Sequence, residues 1–385
     1  MSVLVVGGGF AGTAAAWSLA QRGQDVVMAY DQAGASELYS GALDRAQWTG
    51  VVDDTPLPEE LERLMAELGV RVSAQSAWIG SAFGVVRSAR AIDTALLDLE
   101  PLSGCVVGVL DPGRPGWNAQ QLAQSFEASL WAERTGTRFT PVRLRVNEAY
   151  DLAWVSDIDV ADGLAQPKIF EGLVRELRAL PRDIGGVLCG PWLGLEEGLV
   201  ERLRSGIERP MGETLSEPGG PAGARFARAR DRLLDASGVT VVRARVRSVQ
   251  RQGDVWRVQA EPGSLPGDVF AQVVLAVGGV VGGGIRFRTG EERIGGRSFA
   301  LSLEAPVSLR LGGREVSLHS GSEGIDLQDV GQKALARVGI SVGSGHRVVH
   351  EQGLFAVGDV VGQRPRVALE AMGAGIEAAR TACGR

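Results

Sequence analysis

The chain has 385 residues, a net charge of −6 and a pI near 5.4, so it lacks the basic field that holds nucleic acid. Apolar residues make up 44 % and charged residues 22 %, which excludes disordered and collagen-like chains and suits a chain of two or three globular domains. Glycine is the outlier at 54 residues, about twice ordinary usage, and such excess marks tight turns or backbone pressed against a ligand.

Ser2 to Val6 read as a short apolar strand, and glycines follow at 7, 8, 9 and 12. Residues 11–22 then read as a helix with Ala16 and Leu19 inward. Gly23 ends it, and Val26–Tyr30 form a second strand, so the chain opens with a βαβ unit. Gly7-Gly8-Gly9-Phe10-Ala11-Gly12 fits the dinucleotide fingerprint. Gly7 turns the chain out of the strand, Gly9 lets backbone N–H groups approach a pyrophosphate, and Gly12 lets the helix pack closely on the strand. The acid that binds an adenosine ribose is expected at the end of the second strand, where this chain has Tyr30, with Asp31 next. Either Asp31 takes the ribose after a small shift, or the ribose is held differently, or the ligand lacks adenosine, as FMN does.

Farther along, residues 55–69 predict an amphipathic helix with proline and acid at its start. A buried-type strand at 104–110 precedes a Pro/Gly loop from Pro112 to Gly116. Helices follow at 118–134 and 167–180 and a strand at 184–190, an α/β section without a nameable motif. Residues 217–223 read as a loop and segment boundary. A basic helix at 224–236, a strand near Gly238–Val242, and a meander at 244–249 and 254–260 come next. Val273–Val277 is a buried strand ending in Gly278-Gly279. Residues 300–311 and 314–318 predict an antiparallel pair, and the chain closes with Gly353-Leu-Phe-Ala-Val-Gly358-Asp359 and a helix at 368–382.

Cys105, Cys189 and Cys383 are isolated, which argues against a disulfide scaffold, an iron–sulfur cluster held by this chain alone, and a redox dithiol. His319, His346 and His350 have no zinc spacing with them, so no metal is expected. The most apolar run, Val273 to Ile285, is short of the roughly 20 residues of a membrane span, and the N-terminus has no basic leader. A cytoplasmic location is expected, with a membrane reached only through a partner.

The C-terminal run and its helix resemble the second half of the FAD-binding domain in glutathione-reductase-like flavoproteins. The resemblance implies that Gly358 and Asp359 reach the ribityl hydroxyls and that Met372, Gly373 and Gly375 lie near the flavin ring, where a helix N-terminus stabilises the reduced flavin's charge. It also implies that Gly278 marks a second return to the cofactor and that the backbone of Val246 holds adenine. The expected fold is α/β: a two-part FAD-binding Rossmann-like domain, parallel sheet plus β-meander, with an inserted α/β segment and a small antiparallel cap. The expected boundaries are 1–90, 224–296 and 351–385 for the FAD-binding domain, 91–223 for the insert and 297–350 for the cap. A second nucleotide domain for NAD(P)H is not expected.

Residues 36–44 (SELYSGALD), with Ser40 and Gly41 at their centre, resemble the flavin-facing loop of the B-subunit family of anaerobic glycerol-3-phosphate dehydrogenases. Phe83-Gly84-Val85-Val86-Arg87, residues 104–116 and Val274 to Gly284 share the likeness. That family also lacks the ribose acid, which fits Tyr30, whereas Gly358-Asp359 is nearer the general flavoprotein pattern than that family's Gly-Ser. The resemblance implies a flavin subunit, with FAD or alternatively FMN, that partners an FAD-dependent A-type subunit and an iron–sulfur C-type subunit at the inner membrane. Its substrate would be a small alcohol such as sn-glycerol 3-phosphate. A phosphate calls for arginine, and Arg87, Arg286 and Arg297 are the candidates, against the plainer reading of a solvated face paired with Glu291 and Glu292. The catalytic base is unassigned, because each histidine reads first as a packing or surface residue. Two other readings stand beside this one: a stand-alone FAD oxidase or dehydrogenase, and a non-catalytic scaffold or electron-relay subunit.

Overall fold

The computed structural model describes residues 2–32, 34–44, 56–144, 155–261, 265–289, 297–311, 314–315 and 337–384. Five parallel strands form the central sheet, in the order Thr240–Arg243, Val26–Tyr30, Val3–Val6, Gln272–Leu275 and Leu354–Ala356. Its inner strands are apolar at nearly every position because both faces are covered, as an all-parallel sheet requires. Alternate residues divide cleanly. Leu4, Val6, Val27, Ala29, Val273, Leu275, Leu354 and Ala356 pack towards Val249, Trp256 and Val258 of the meander and Phe270 of the Val269–Phe270 strand paired to it. Val3, Val5, Val26, Met28, Val274 and Phe355 pack towards Ala15, Ala16 and Leu19 of the Phe10–Ala20 helix and towards Ala378 and Ala379 of the Ala368–Ala382 helix. Edge strand Thr240–Arg243 is mostly exposed and carries a charge, which blunts a free edge.

The fold is thus α/β with a Rossmann-like parallel sheet and a β-meander, Arg245–Gln252 with Val255–Glu261, laid against it. A four-stranded parallel sheet, ordered Arg138–Arg143, Val106–Asp111, Ile184–Cys189 and Met211–Glu213, is built from the middle of the chain. An antiparallel ribbon, Val70–Gly80 with Val86–Asp93, connects the two regions through backbone bonds such as Asp93 N–H to the Gly41 carbonyl.

Several elements differ from expectation. The helix expected at 118–134 is two, Ala119–Glu127 and Leu130–Thr135, because Ser129 caps the second with its side chain on the Ala132 N–H. The loop expected at 217–223 already holds the first turn of the Pro221–Ala236 helix, with Pro221 at its favoured first position. The helix expected from 55 is described from Glu59 to Glu67. Residues 300–311 are not one strand: Arg297–Leu301 pairs with Ile285–Thr289, and only Leu309–Leu311 pairs with Arg314–Glu315. His319, Glu291 and Glu292 lie outside the described residues.

Candidate functional site

A cavity of about 560 Å³ opens at the carboxyl ends of the central strands. Its wall brings together Val6 to Ala11, Ala29 to Gln32, Ala276 to Gly278 and Val357 to Asp359. In parallel sheets this is where ligands bind, where neighbouring strands lead in opposite directions. Here the Val3–Val6 strand is that point, with Val26–Tyr30 on one side and Gln272–Leu275 on the other.

The glycine loop makes the first wall. Gly7 has φ +119°, a region that disfavours side chains, and a Cβ there would strike the Ala276 carbonyl. Gly12 faces the Gly7 carbonyl so closely that no Cβ fits, so it sets the helix against the loop and does not itself line the cavity. The Phe10–Ala20 helix has no side-chain cap and no acid in its first turn, which leaves its N-terminal N–H groups and dipole to a ligand.

Opposite stands the C-terminal return. Gly358 has φ +72° and packs so near Ala11 that an added Cβ would lie 2.7 Å from the Ala11 Cβ. Asp359 follows, lining the cavity with Arg366 and with Val367 and Ala368 at the start of the last helix. Burial pushes the Asp359 carboxyl up, and the Arg366 guanidinium opposes that shift. Arg366 is held by a 2.6 Å hydrogen bond to the Val338 carbonyl. A cation so near the helix start was missed by sequence reasoning, although Arg364-Pro365-Arg366 stands directly before the helix.

The end of the cavity beside the second strand is organised around Tyr30. Its ring lies against Gly8, where a Cβ would come within 2.8 Å of three ring carbons. Its hydroxyl donates to Asp231 at 3.2 Å, and the guanidinium carbons of Arg230 and Arg243 lie 4.8 and 4.3 Å from the ring centroid. Burial raises the Tyr30 phenol above its usual range. Asp31 is exposed at the cavity wall, 3.9 Å from Arg245, which lines the wall beside Val246. A carboxylate therefore stands at this end, one residue later than in the fingerprint.

Residues 34–43 close a third side, with Ser36, Tyr39 and Ser40 in the wall. Tyr39 is buried in an aromatic cluster, 5.5 Å from Phe10 and 6.3 Å from Phe226 between ring centroids. Its hydroxyl has no hydrogen-bond partner among the described residues, and burial pushes it well above the usual phenol range. Arg286 completes the fourth side as an exposed cation beside Ser302 and Leu303.

Other expected site residues lie elsewhere. Met372 and Gly375, expected beside a flavin ring, are buried in the packing of the last helix. Met372 sits among Ala14, Trp17 and Tyr39, and Gly375 abuts Ala11, Ala14 and Ala15. Gly373 lines a second cavity of about 320 Å³, with His346 and Arg364, and not the first. Gly41 sits at φ +103° against Leu96, a turn into the antiparallel ribbon. Arg87 is taken up by a 2.8 Å ion pair with Asp44 outside the cavity. Arg297 is placed only as a strand residue opposite Thr289. His346 pairs with Glu377 at 3.3 Å, burial lowers its pKa, and neither it nor His350 lines the first cavity. Among the described residues no cluster of histidine, cysteine or carboxylate could hold a metal ion, and no helix is long and apolar enough to cross a membrane.

The donor set fits FAD. The glycine loop and helix N-terminus would suit a pyrophosphate, Asp31 and Val246 line the cavity beside Tyr30, where a ribose and adenine would lie, and Asp359 lines it at the C-terminal return, where ribityl hydroxyls would lie. The unpartnered Tyr39 hydroxyl calls for an acceptor that a bound ligand would supply.

The model of the family described as "Glucose inhibited division protein A" matches residues 2–44, the stretch that carries the glycine loop and the whole of the third wall. No curated protein is significantly similar to the chain. Among solved structures the chain is similar to the GidA-related protein from Thermus thermophilus, at 14 % identity over 98 % of this chain and 96 % of that one, with a TM-score of 0.32. It is also similar to glycine oxidase from Geobacillus kaustophilus, at 12 % identity over 100 % and 95 % of the two chains, with a TM-score of 0.37. Glycine oxidase from Bacillus cereus gives 12 % identity over 100 % and 97 %, with a TM-score of 0.36.

Proposed function

We propose that the chain is an FAD-dependent oxidoreductase subunit acting on a small alcohol such as sn-glycerol 3-phosphate, with electrons passed on to a partner iron–sulfur subunit. The observation that carries the flavin reading is the meeting of three strand ends far apart in sequence, at Gly7, Gly278 and Gly358, around one cavity with Asp359 at its wall. FAD, when bound, supplies the hydride acceptor. The chain's own residues do the rest. The helix N-terminus at Gly9 and Phe10 takes the pyrophosphate, and Asp359 accepts from the ribityl hydroxyls. Arg286 is a cation at the cavity wall suited to a substrate phosphate.

The substrate and partners rest on the likeness of residues 36–44 to the B-subunit loop, and a larger FAD-dependent subunit belongs to the same reading. A relay role is the second reading. It is favoured by the absence of any described histidine from the wall, which leaves Asp31 and Asp359 as the only described carboxylates there. Anaerobic addition of sn-glycerol 3-phosphate to the FAD-loaded chain separates the two. Bleaching of the flavin band supports substrate oxidation here. No bleaching with sn-glycerol 3-phosphate, but bleaching once the partner subunits are added, supports the relay.

A further inference from the structure

We propose that Arg230 is the positioning residue of the pyrophosphate cradle: from behind the glycine loop it fixes the Gly8–Gly9 peptide so that the Gly9 N–H faces the bound cofactor. The inference rests on the flavin reading above. Arg230 is 1 % exposed and belongs to the Pro221–Ala236 helix, not to the cavity wall. Its Nη1 donates to the Gly8 carbonyl at 2.9 Å. A trans peptide is planar, with its C=O and the following N–H pointing in opposite directions. A Gly8 carbonyl turned outward to Arg230 therefore turns the Gly9 N–H inward, towards the cavity that Gly8 and Gly9 line. Glycine has little conformational preference of its own, so a run of three glycines needs an external anchor to hold one peptide orientation.

The anchor is itself held. Arg230 Nε donates to Asp231 at 2.8 Å, Nη2 lies 2.7 Å from the same carboxylate, and the guanidinium stacks on the Tyr30 ring. Tyr30, which fills the place of the ribose acid, thus serves as a platform for the arginine and also presses on Gly8. Because Asp231 pairs with it, Arg230 acts on the loop through its hydrogen bond to Gly8 more than through its charge.

The test is calorimetric titration of the apoprotein with FAD and with FMN, for the wild type, Arg230→Met and Arg230→Lys. FAD carries the pyrophosphate and FMN only one phosphate. Losing a hydrogen bond to a charged group costs about tenfold or more in affinity, so Arg230→Met is expected to weaken FAD by about that factor and FMN by less than about twofold. Arg230→Lys is expected to fall between, since it keeps the charge without the fork. If Arg230→Met does not fold, Asp231→Asn, on a half-exposed side chain, loosens the same arginine and should shift the FAD-to-FMN ratio in the same direction. Equal loss for both ligands, or none for either, would overturn the proposal and show a role in packing alone. A wild-type chain that binds no FAD would instead overturn the flavin reading beneath it.

Discussion

At the scale of single residues, the site is defined by polar groups that lack a partner or share one. Tyr39 places a hydroxyl in an aromatic pocket with no hydrogen-bond partner among the described residues. Removing an unsatisfied buried hydroxyl relieves about 1 kcal/mol, so Tyr39→Phe is expected to raise the melting temperature of the apoprotein and to lower FAD affinity. A calorimetric scan paired with an FAD titration checks both signs, and a variant that loses apo stability would show that the hydroxyl is bonded within the chain. Asp359→Ala is expected to weaken FAD by about tenfold to a hundredfold, the worth of a charge-assisted hydrogen bond. Its melting temperature should stay close to wild type, because Asp359 faces the cavity. Gly7, Gly9, Asp31 and Asp359 were legible in the sequence because strand, turn and helix signals bracket them. Arg230, Arg245 and Arg366 were not. An arginine on a helix or strand has no local signature, and what distinguishes Arg230 is a carbonyl 222 residues away.

At the scale of elements, two helices decide whether the cavity keeps its shape. The last helix crosses the first at Gly375, where a side chain would meet the Ala11 carbonyl, the Ala15 nitrogen and the Ala14 Cβ. Gly375→Val is expected to cost about 1–3 kcal/mol by overpacking and to reduce stability and cofactor retention together, read by melting with and without FAD. The Pro221–Ala236 helix is pinned by Arg225, which bonds Glu213 at 2.6 Å and Asp93 at 3.0 Å. One guanidinium neutralises only one of two buried carboxylates, and burial pushes Glu213 up to about 7. A folded pKa above the unfolded value of about 4.3 means the folded state holds the extra proton. Stability from this group is full below that value and is lost as pH rises through about 7. Melting temperature is therefore expected to fall between pH 5 and 8 in the wild type and to fall less in Glu213→Gln. An equal pH slope in both chains would remove Glu213 as the cause. The inner parallel strands were readable as continuous apolar runs because both their faces are buried. The Val70–Gly80 and Val86–Asp93 ribbon was not, since a register shift between Val72 and Ala77 breaks its alternation. Ser129 hid a helix break in the same way, because a cap residue inside a periodic run does not interrupt the period.

At the scale of the molecule, the cavity is a property of topology more than of any one motif. The central sheet takes its strands from residues 3–6, 26–30, 240–243, 272–275 and 354–356, so nearly the whole chain must fold before the walls meet. That order of assembly explains why the glycine loop alone left the ligand open, and why the later returns at Gly278 and Gly358 carry the reading of the site. The middle section, with its own parallel sheet, joins the site through residues 40 and 41 and through Arg225, and so supports the cavity from outside. The measurement that tests the account most directly is the visible spectrum of the purified chain after incubation with FAD and removal of free cofactor, with the retained compound identified by mass. Flavin bands from retained FAD are expected for the wild type and are expected to be lost in Gly358→Val. A wild-type chain that stays colourless after exposure to FAD would contradict it.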